Sequence, residues 1–332
     1  MGFLRAPLVR RPPPTCLRIP GGSPMIAFLF PGQGSQTVGM CRELHDAEPL
    51  FRQTVDAAEA RLPFALSRLC FEGPQEELTL TLHAQPALLT FEVACCRVLR
   101  QREVLPAIVA GHSLGEYAAL VAAEVLGFED ALELVALRAR LMHEAPKGSM
   151  AAVLGGARAD VIRLCDAVSE SGVCQPANFN APDQTVISGS PEAIAEAVRR
   201  APEFGAKRAV ALPVSGAFHS ELMKAAGEEL TAALEKVTLA EPRTPVVPNA
   251  IGVPTTAVAD LRQALSRQMT SHVLWEDTVR AMLEAGVTIF VEVGPGKVLS
   301  GLVKKIHRDA QVCNVQDTKS LEATVAACHA DA

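Results

Sequence analysis

The sequence lacks a basic excess, a membrane-length apolar run and any paired-cysteine spacing, and each absence removes a class of function. Lysine and arginine number 31 against 37 acids, a formal charge of −6. Phosphate recognition needs a concentrated cationic surface, so nucleic acid is not an expected partner. Apolar runs such as Leu105 to Ala110 fall far short of the roughly 20 residues of a helical membrane span, so a soluble chain without a membrane partner is expected. The nine cysteines are scattered, with only Cys95 and Cys96 adjacent and no CxxC ladder. That pattern argues against a disulfide scaffold or a metal finger and favours a reducing compartment and no metal.

What is present is enough chain for a sizeable core: 332 residues, 49% of them hydrophobic, fit one large α/β domain with a smaller lobe. Residues 1–24 differ in kind. They hold Arg5, Arg10, Arg11 and Arg18, no acid and many prolines. Without those four cations the formal charge of −6 becomes −10 for the body. The segment reads as an extension that is disordered, transit-like or upstream of a working start at Met25. A cytoplasmic location is expected, or mitochondrion or plastid if the extension is a transit peptide.

From Met25 the run Ile26 to Phe30 predicts a buried strand, ended by Pro31-Gly32-Gln33-Gly34-Ser35. A helical pattern over Thr90 to Arg100 precedes a second buried strand, Leu105 to Ala110. That strand runs into Gly111-His112-Ser113-Leu114-Gly115, and Glu116 to Leu126 favours helix. Past the break at Pro146-Lys147-Gly148, strand, helix, two short strands, helix and strand follow in the order βαββαβ, the ferredoxin-like pattern. The chain is therefore divided into a large α/β subdomain with a parallel sheet core (25–147 and 215–310), an inserted ferredoxin-like subdomain (148–214) and a C-terminal tail (311–332).

Serine is a poor nucleophile at neutral pH and needs a base in hydrogen-bond reach and donors for the developing oxyanion. A GxSxG elbow between strand and helix exposes Ser113, and the Leu114 amide follows it. As a bare motif it is common; the flanking strand and helix give it weight. Of eight histidines, His219, which closes Leu212 to Phe218 and opens a helix, is the favoured base by position, with His272 a weaker candidate. His112 beside the serine suits packing or helix-end polarity. Arg138 reads equally as a helix-surface cation, and Gln85, Asn178 and Asn180 as turn or cap residues. The Gly294-Pro295-Gly296 turn reads as architecture.

Six blocks in order change that balance: Phe30 to Gln36, Gly111 to Tyr117, Arg138 to Met142, Asn178-Phe179-Asn180, Pro213 to His219 and Glu292 to Lys297. Together they resemble the malonyl-CoA:acyl carrier protein transacylase family over Met25 to about Ile306. The resemblance implies an α/β-hydrolase-like large subdomain and a ping-pong transfer of malonyl from malonyl-CoA to the phosphopantetheine thiol of acyl carrier protein, serving fatty acid synthesis. It implies Ser113 as nucleophile, His219 as base, and Gln33 and Leu114 as the oxyanion hole. The Gln268 main-chain carbonyl would orient the histidine. Arg138 would pair the substrate carboxylate, with Met142, Gln85, Asn178, Asn180 and Phe218 lining the site; Phe218 would exclude a branched methylmalonyl group. No cofactor is implied beyond the two substrates, and a monomer is expected. An acidic carrier would need a basic patch, for which Lys304, Lys305 and Arg308 are candidates. The rival activities are an α/β-hydrolase-type esterase or thioesterase, a non-catalytic docking module, and an acyltransferase serving polyketide assembly.

Overall fold

The structure, a computed structural model, describes residues 24–214 and 216–330. The expectations for residues 1–23 lie outside the described residues. β1 (Ile26–Phe30), β2 (Ile108–Gly111), β7 (Ile289–Val293) and β8 (Gln311–Val315) form a four-stranded parallel sheet in the order β2-β1-β7-β8. The run Ile26 to Phe30 is buried throughout because both sheet faces are covered. Its side chains alternate: Phe28 and Phe30 pack into one apolar cluster, Ala27 and Leu29 into another. The first cluster takes in the helices Thr81–Gln101 and Phe128–Glu144, and the second takes in Trp275–Glu284 and Val298–Ile306.

β3 (Ser149–Leu154), β4 (Cys174–Ala181), β5 (Gln184–Gly189) and β6 (Arg208–Ala211) form a second sheet, antiparallel, in the order β4-β5-β3-β6. With helices Arg158–Ala167 and Pro191–Arg200 between strands, this is the ferredoxin-like βαββαβ arrangement. Ala151, Val153 and Ile187 face those two helices. Met150, Ala177 and Val186 on the other face join the core of the large half, so the inserted sheet is packed onto that core and does not hang from it.

Four boundaries differ from expectation; the first is the second strand, which spans Ile108–Gly111 and leaves Leu105 outside it at 60% exposure. Residues 311–330 are not a tail: Gln311–Val315 adds a strand to the parallel sheet, and Thr318–His329 is a helix with an Asp317–Ser320 capping box. The strand escaped notice because it is a half-exposed edge with mixed polarity. The helical pattern from Thr90 begins earlier, at Thr81, and tolerates Pro86 in its first turns. The helix after the elbow ends at Ala122, four residues sooner than Leu126.

Candidate active site

Two glycines make the elbow possible by letting backbones touch. A Cβ on Gly111 would lie 1.9 Å from the Gly115 carbonyl carbon, and one on Gly115 would lie 2.1 Å from the Phe30 carbonyl oxygen. The chain therefore turns back on itself at the end of β2, with Ser113 in the left-handed region at φ 52°. Asn249 locks the turn from a distant segment. Its Oδ1 accepts from the Ser113 amide at 2.7 Å and its Nδ2 donates to the Gly111 carbonyl at 2.6 Å. That segment is fixed by backbone bonds on both sides of Val109, from the Val109 amide to Pro245 and from the Val247 amide back to Val109.

His219 comes from the opposite wall, also left-handed at φ 58°. Its Nε2 is 2.7 Å from Ser113 Oγ, and its Nδ1 faces the main-chain carbonyls of Gln268 at 3.0 Å and Ser271 at 3.2 Å. Two carbonyl acceptors at Nδ1 place the proton there and leave Nε2 free to accept from the serine. Burial, reinforced by the nearby Arg138 charge, brings the imidazole down to about 3. A neutral imidazole held against a hydroxyl is the geometry of a nucleophile and its base.

Arg138 is buried at 1% exposure, so its reading as a surface cation is wrong. Nη1 donates to Gln85 Oε1 at 2.7 Å, and Nη2 to Ser113 Oγ at 3.0 Å and to Gln268 Oε1 at 3.1 Å. Nε has no partner among the described residues. Burial lowers the guanidinium, opposed first by Tyr117 and then by Glu116. A buried cation with a spare donor beside a nucleophile is suited to an anionic group on the substrate.

The other candidates divide. Gln85 is a buried residue inside the helix Thr81–Gln101, not a turn or cap residue, and its Nε2 lies 3.2 Å from Met142 Sδ. The Phe218 ring presses on the backbone of Gly216, where a Cβ would come within 2.3 Å of the ring. Neither the Gln33 nor the Leu114 amide is spent on another protein group among the described residues. A Cβ on Gly32 would stand 2.6 Å from the His112 carbonyl oxygen, so the Gln33 loop lies directly against the elbow. Asn178 and Asn180 are on β4. Asn180 bonds His112 Nε2 at 2.8 Å, whereas Asn178 Oδ1 has no partner among the described residues, the Ser113–His219 pair included. His112 also packs edge-on against Trp275, and His272 is tied through Nδ1 to the Pro176 carbonyl at 2.7 Å. Among the described residues no three His, Cys, Asp or Glu side chains gather as a metal site. Sequence reasoning missed Asn249 and Glu116. Glu116 Oε2 accepts from Gln268 Nε2 at 2.8 Å and from the Asn249 amide at 3.3 Å.

Residues 27–325 match the acyl transferase domain family. A malonyl CoA-acyl carrier protein transacylase of Bacillus subtilis is 45% identical over 90% of this chain and 96% of its own. The chain belongs to the malonyl CoA-acyl carrier protein transacylase family. The fold agrees: an acyl carrier protein S-malonyltransferase from Vibrio cholerae superposes with a TM-score of 0.87 at 41% identity, covering 90% of this transacylase and 99% of that chain. A malonyl-transacylase solved in complex with a type II PKS acyl-carrier protein gives 0.88 at 40% identity, covering 90% and 98%.

Proposed function

We propose that this transacylase moves malonyl from malonyl-CoA to the phosphopantetheine thiol of holo acyl carrier protein for fatty acid synthesis, through an ester on Ser113. The observation that carries the reading is the buried Arg138 guanidinium, its Nη2 3.0 Å from Ser113 Oγ. A hydrolase of neutral esters has no anion to pair at its nucleophile, whereas a malonyl group brings a carboxylate that must be paired.

In the first half-reaction His219 Nε2 takes the Ser113 proton as Oγ attacks the thioester carbonyl. The amides of Gln33 and Leu114 receive the oxyanion. The C–S bond then breaks and the imidazolium returns its proton to the CoA sulfur. The second half-reaction runs the same steps backwards with the carrier's thiol as attacking group. Burial is the main cause of the depressed His219 and the Arg138 charge the second; a carboxylate seated on Arg138 offsets that second part, so malonyl strengthens its own base. Main-chain carbonyls orient the histidine without adding an anion beside the incoming malonate. Met142 and Gln85 shape the pocket floor, and the Phe218 ring occupies the space a methylmalonyl branch needs. Asn178 and Asn180 belong to the wall that the small sheet supplies.

The exchange is redox-neutral and balanced in protons, so one thioester substrate and one thiol substrate suffice without a cofactor. No helix among the described residues is long and apolar enough to cross a membrane, and the described cysteines are all free thiols; a cytoplasmic site of action suits both. A large half of 25–147 with 215–330 and a small half of 148–214 describe the division of labour, with residues 311–330 assigned to the large half.

The test is intact-protein mass after mixing with malonyl-, methylmalonyl- or acetyl-CoA, followed by holo acyl carrier protein. The expected result is a malonyl adduct in preference to the other two, discharged to the carrier. Rapid loss to water without transfer would overturn the reading in favour of a hydrolase.

A further inference from the structure

We propose that Glu116 is a positioning residue for malonyl selection: it fixes which end of the Gln268 amide faces Arg138. The inference rests on the malonyl-transfer reading above. Gln268 is 1% exposed and uses three separate groups. Its main-chain carbonyl faces His219 Nδ1, its Oε1 accepts from Arg138 Nη2, and its Nε2 donates to both the Ser113 carbonyl at 2.8 Å and Glu116 Oε2 at 2.8 Å.

A carboxamide turned end for end occupies the same space, so shape alone does not choose between the two orientations. The partners do. In the orientation present, NH2 faces two oxygens and the amide oxygen faces a guanidinium. Turned over, the amide oxygen would meet the Ser113 carbonyl and the Glu116 carboxylate, while NH2 would meet the Arg138 donors. Every one of those contacts would then be lost in a buried site, where an unmade bond costs most. The Ser113 carbonyl contributes one acceptor; Glu116 contributes the second and brings its charge.

Glu116 is itself held. It is 2% exposed in the first turn of the helix Gly115–Ala122, and the Asn249 amide donates to the same Oε2 that Gln268 uses. Asn249 also clamps the Ser113 elbow through its side chain. The carboxylate therefore ties the frame of the nucleophile to the direction in which Arg138 is presented. Gln85 holds Nη1 on the other side, so losing the Gln268 contact would let the guanidinium pivot about Gln85 and away from the acyl group. The Gln268 main-chain carbonyl lies in the backbone of the short helix Gln268–Thr270 and is held by it, whichever way the side-chain amide points.

That separation supplies the test. In Glu116→Leu the amide loses the charged one of its two directing acceptors, and the malonyl-to-acetyl ratio of kcat/KM is expected to fall by about tenfold or more, the net worth of one hydrogen bond to a charged group. In Glu116→Gln the side-chain oxygen takes the place of Oε2, and the wild-type ratio is expected to return. Gln268→Met, which keeps the main-chain carbonyl, should reproduce the loss of selectivity even if Glu116→Leu does not fold. Parallel decreases for malonyl and acetyl in Glu116→Leu would make the residue merely structural and overturn the proposal. So would selectivity retained in Gln268→Met, or lost as fully in Glu116→Gln as in Glu116→Leu. Malonyl loading of Ser113 in the unaltered enzyme, read by intact mass, tests the underlying function separately.

Discussion

The two halves of the chain differ in what they bury. Between Ser149 and Ala211 the buried polar side chains are Asn180, Thr185 and Ser188, all neutral. The large half buries Glu92, Glu116, Arg138, His219 and Glu292. Buried charge is costly and is a poor route to stability, so its concentration in one half marks where the chain spends stability on something else. Within that half two carboxyls sharpen the point. Glu116 receives two donors and is pushed up only to about 7, by burial opposed by Gln268, Asn249 and Arg138. Glu92 has no partner at either oxygen among the described residues, and burial first, then Cys41 and Glu292, raise it well above the ordinary carboxyl range. Of the two, the carboxyl wired into the site is the one whose hydrogen-bond donors oppose the cost of burial.

The most severe break of the contrast is Ser113→Ala, which leaves every buried charge in place. It should abolish the malonyl adduct and lower kcat by on the order of 10⁴-fold or more, with the melting temperature little changed. An adduct persisting by mass spectrometry would move the nucleophile elsewhere. Arg138→Ala should lower malonyl kcat/KM by about 10²-fold, the cost of leaving a buried carboxylate unpaired, and shift preference toward acetyl. Side-by-side kinetics with the two CoA esters check this, and unchanged selectivity would refute the pairing role. Ile187→Ala in the small half should do the opposite. It should cost about 2–4 kcal/mol of stability by opening a cavity, visible in denaturant titration, while the malonyl-to-acetyl ratio stays at the wild-type value.

The pH dependence is the subtlest contrast. His219 is depressed from 6.5 to about 3, so the unfolded chain takes up its proton first and stability falls as pH drops from 6.5 toward 3. Glu116 is raised from 4.5 to about 7. The unfolded chain releases that proton first, and stability falls as pH rises from 4.5 through 7. The two slopes oppose each other between 4.5 and 6.5. In Glu116→Gln the loss on the alkaline side should shrink, and in His219→Gln the loss on the acid side. Thermal melts across pH would show both, and identical profiles for all three proteins would discredit the assignment.

Local pattern carried much of this into the sequence. Ile26 to Phe30 announces a strand by unbroken apolar character, the βαββαβ order is visible in alternating short runs, and Gly111 to Gly115 announces an elbow. Arg138 was ambiguous because an arginine in a helix is most often solvated; only the packing of Gln85 and Gln268 against it makes it interior. Asn249 was beyond reach, since it lies 136 residues from the amide it caps in a turn with no motif. Glu116 was passed over as a helix former, which it also is. Gln311 to Val315 has the weak pattern of an edge strand, so a stretch that completes the parallel sheet looked like a tail.

Ser113 and His219 both hold left-handed backbone, and neither is glycine. Each conformation costs on the order of 1 kcal/mol for a residue with a side chain, and glycine at either place would relieve it. Ser113→Gly or His219→Gly is thus expected to shed that strain in the same step that removes the side chain the proposed chemistry uses, so stability and activity would move in opposite directions at these two positions.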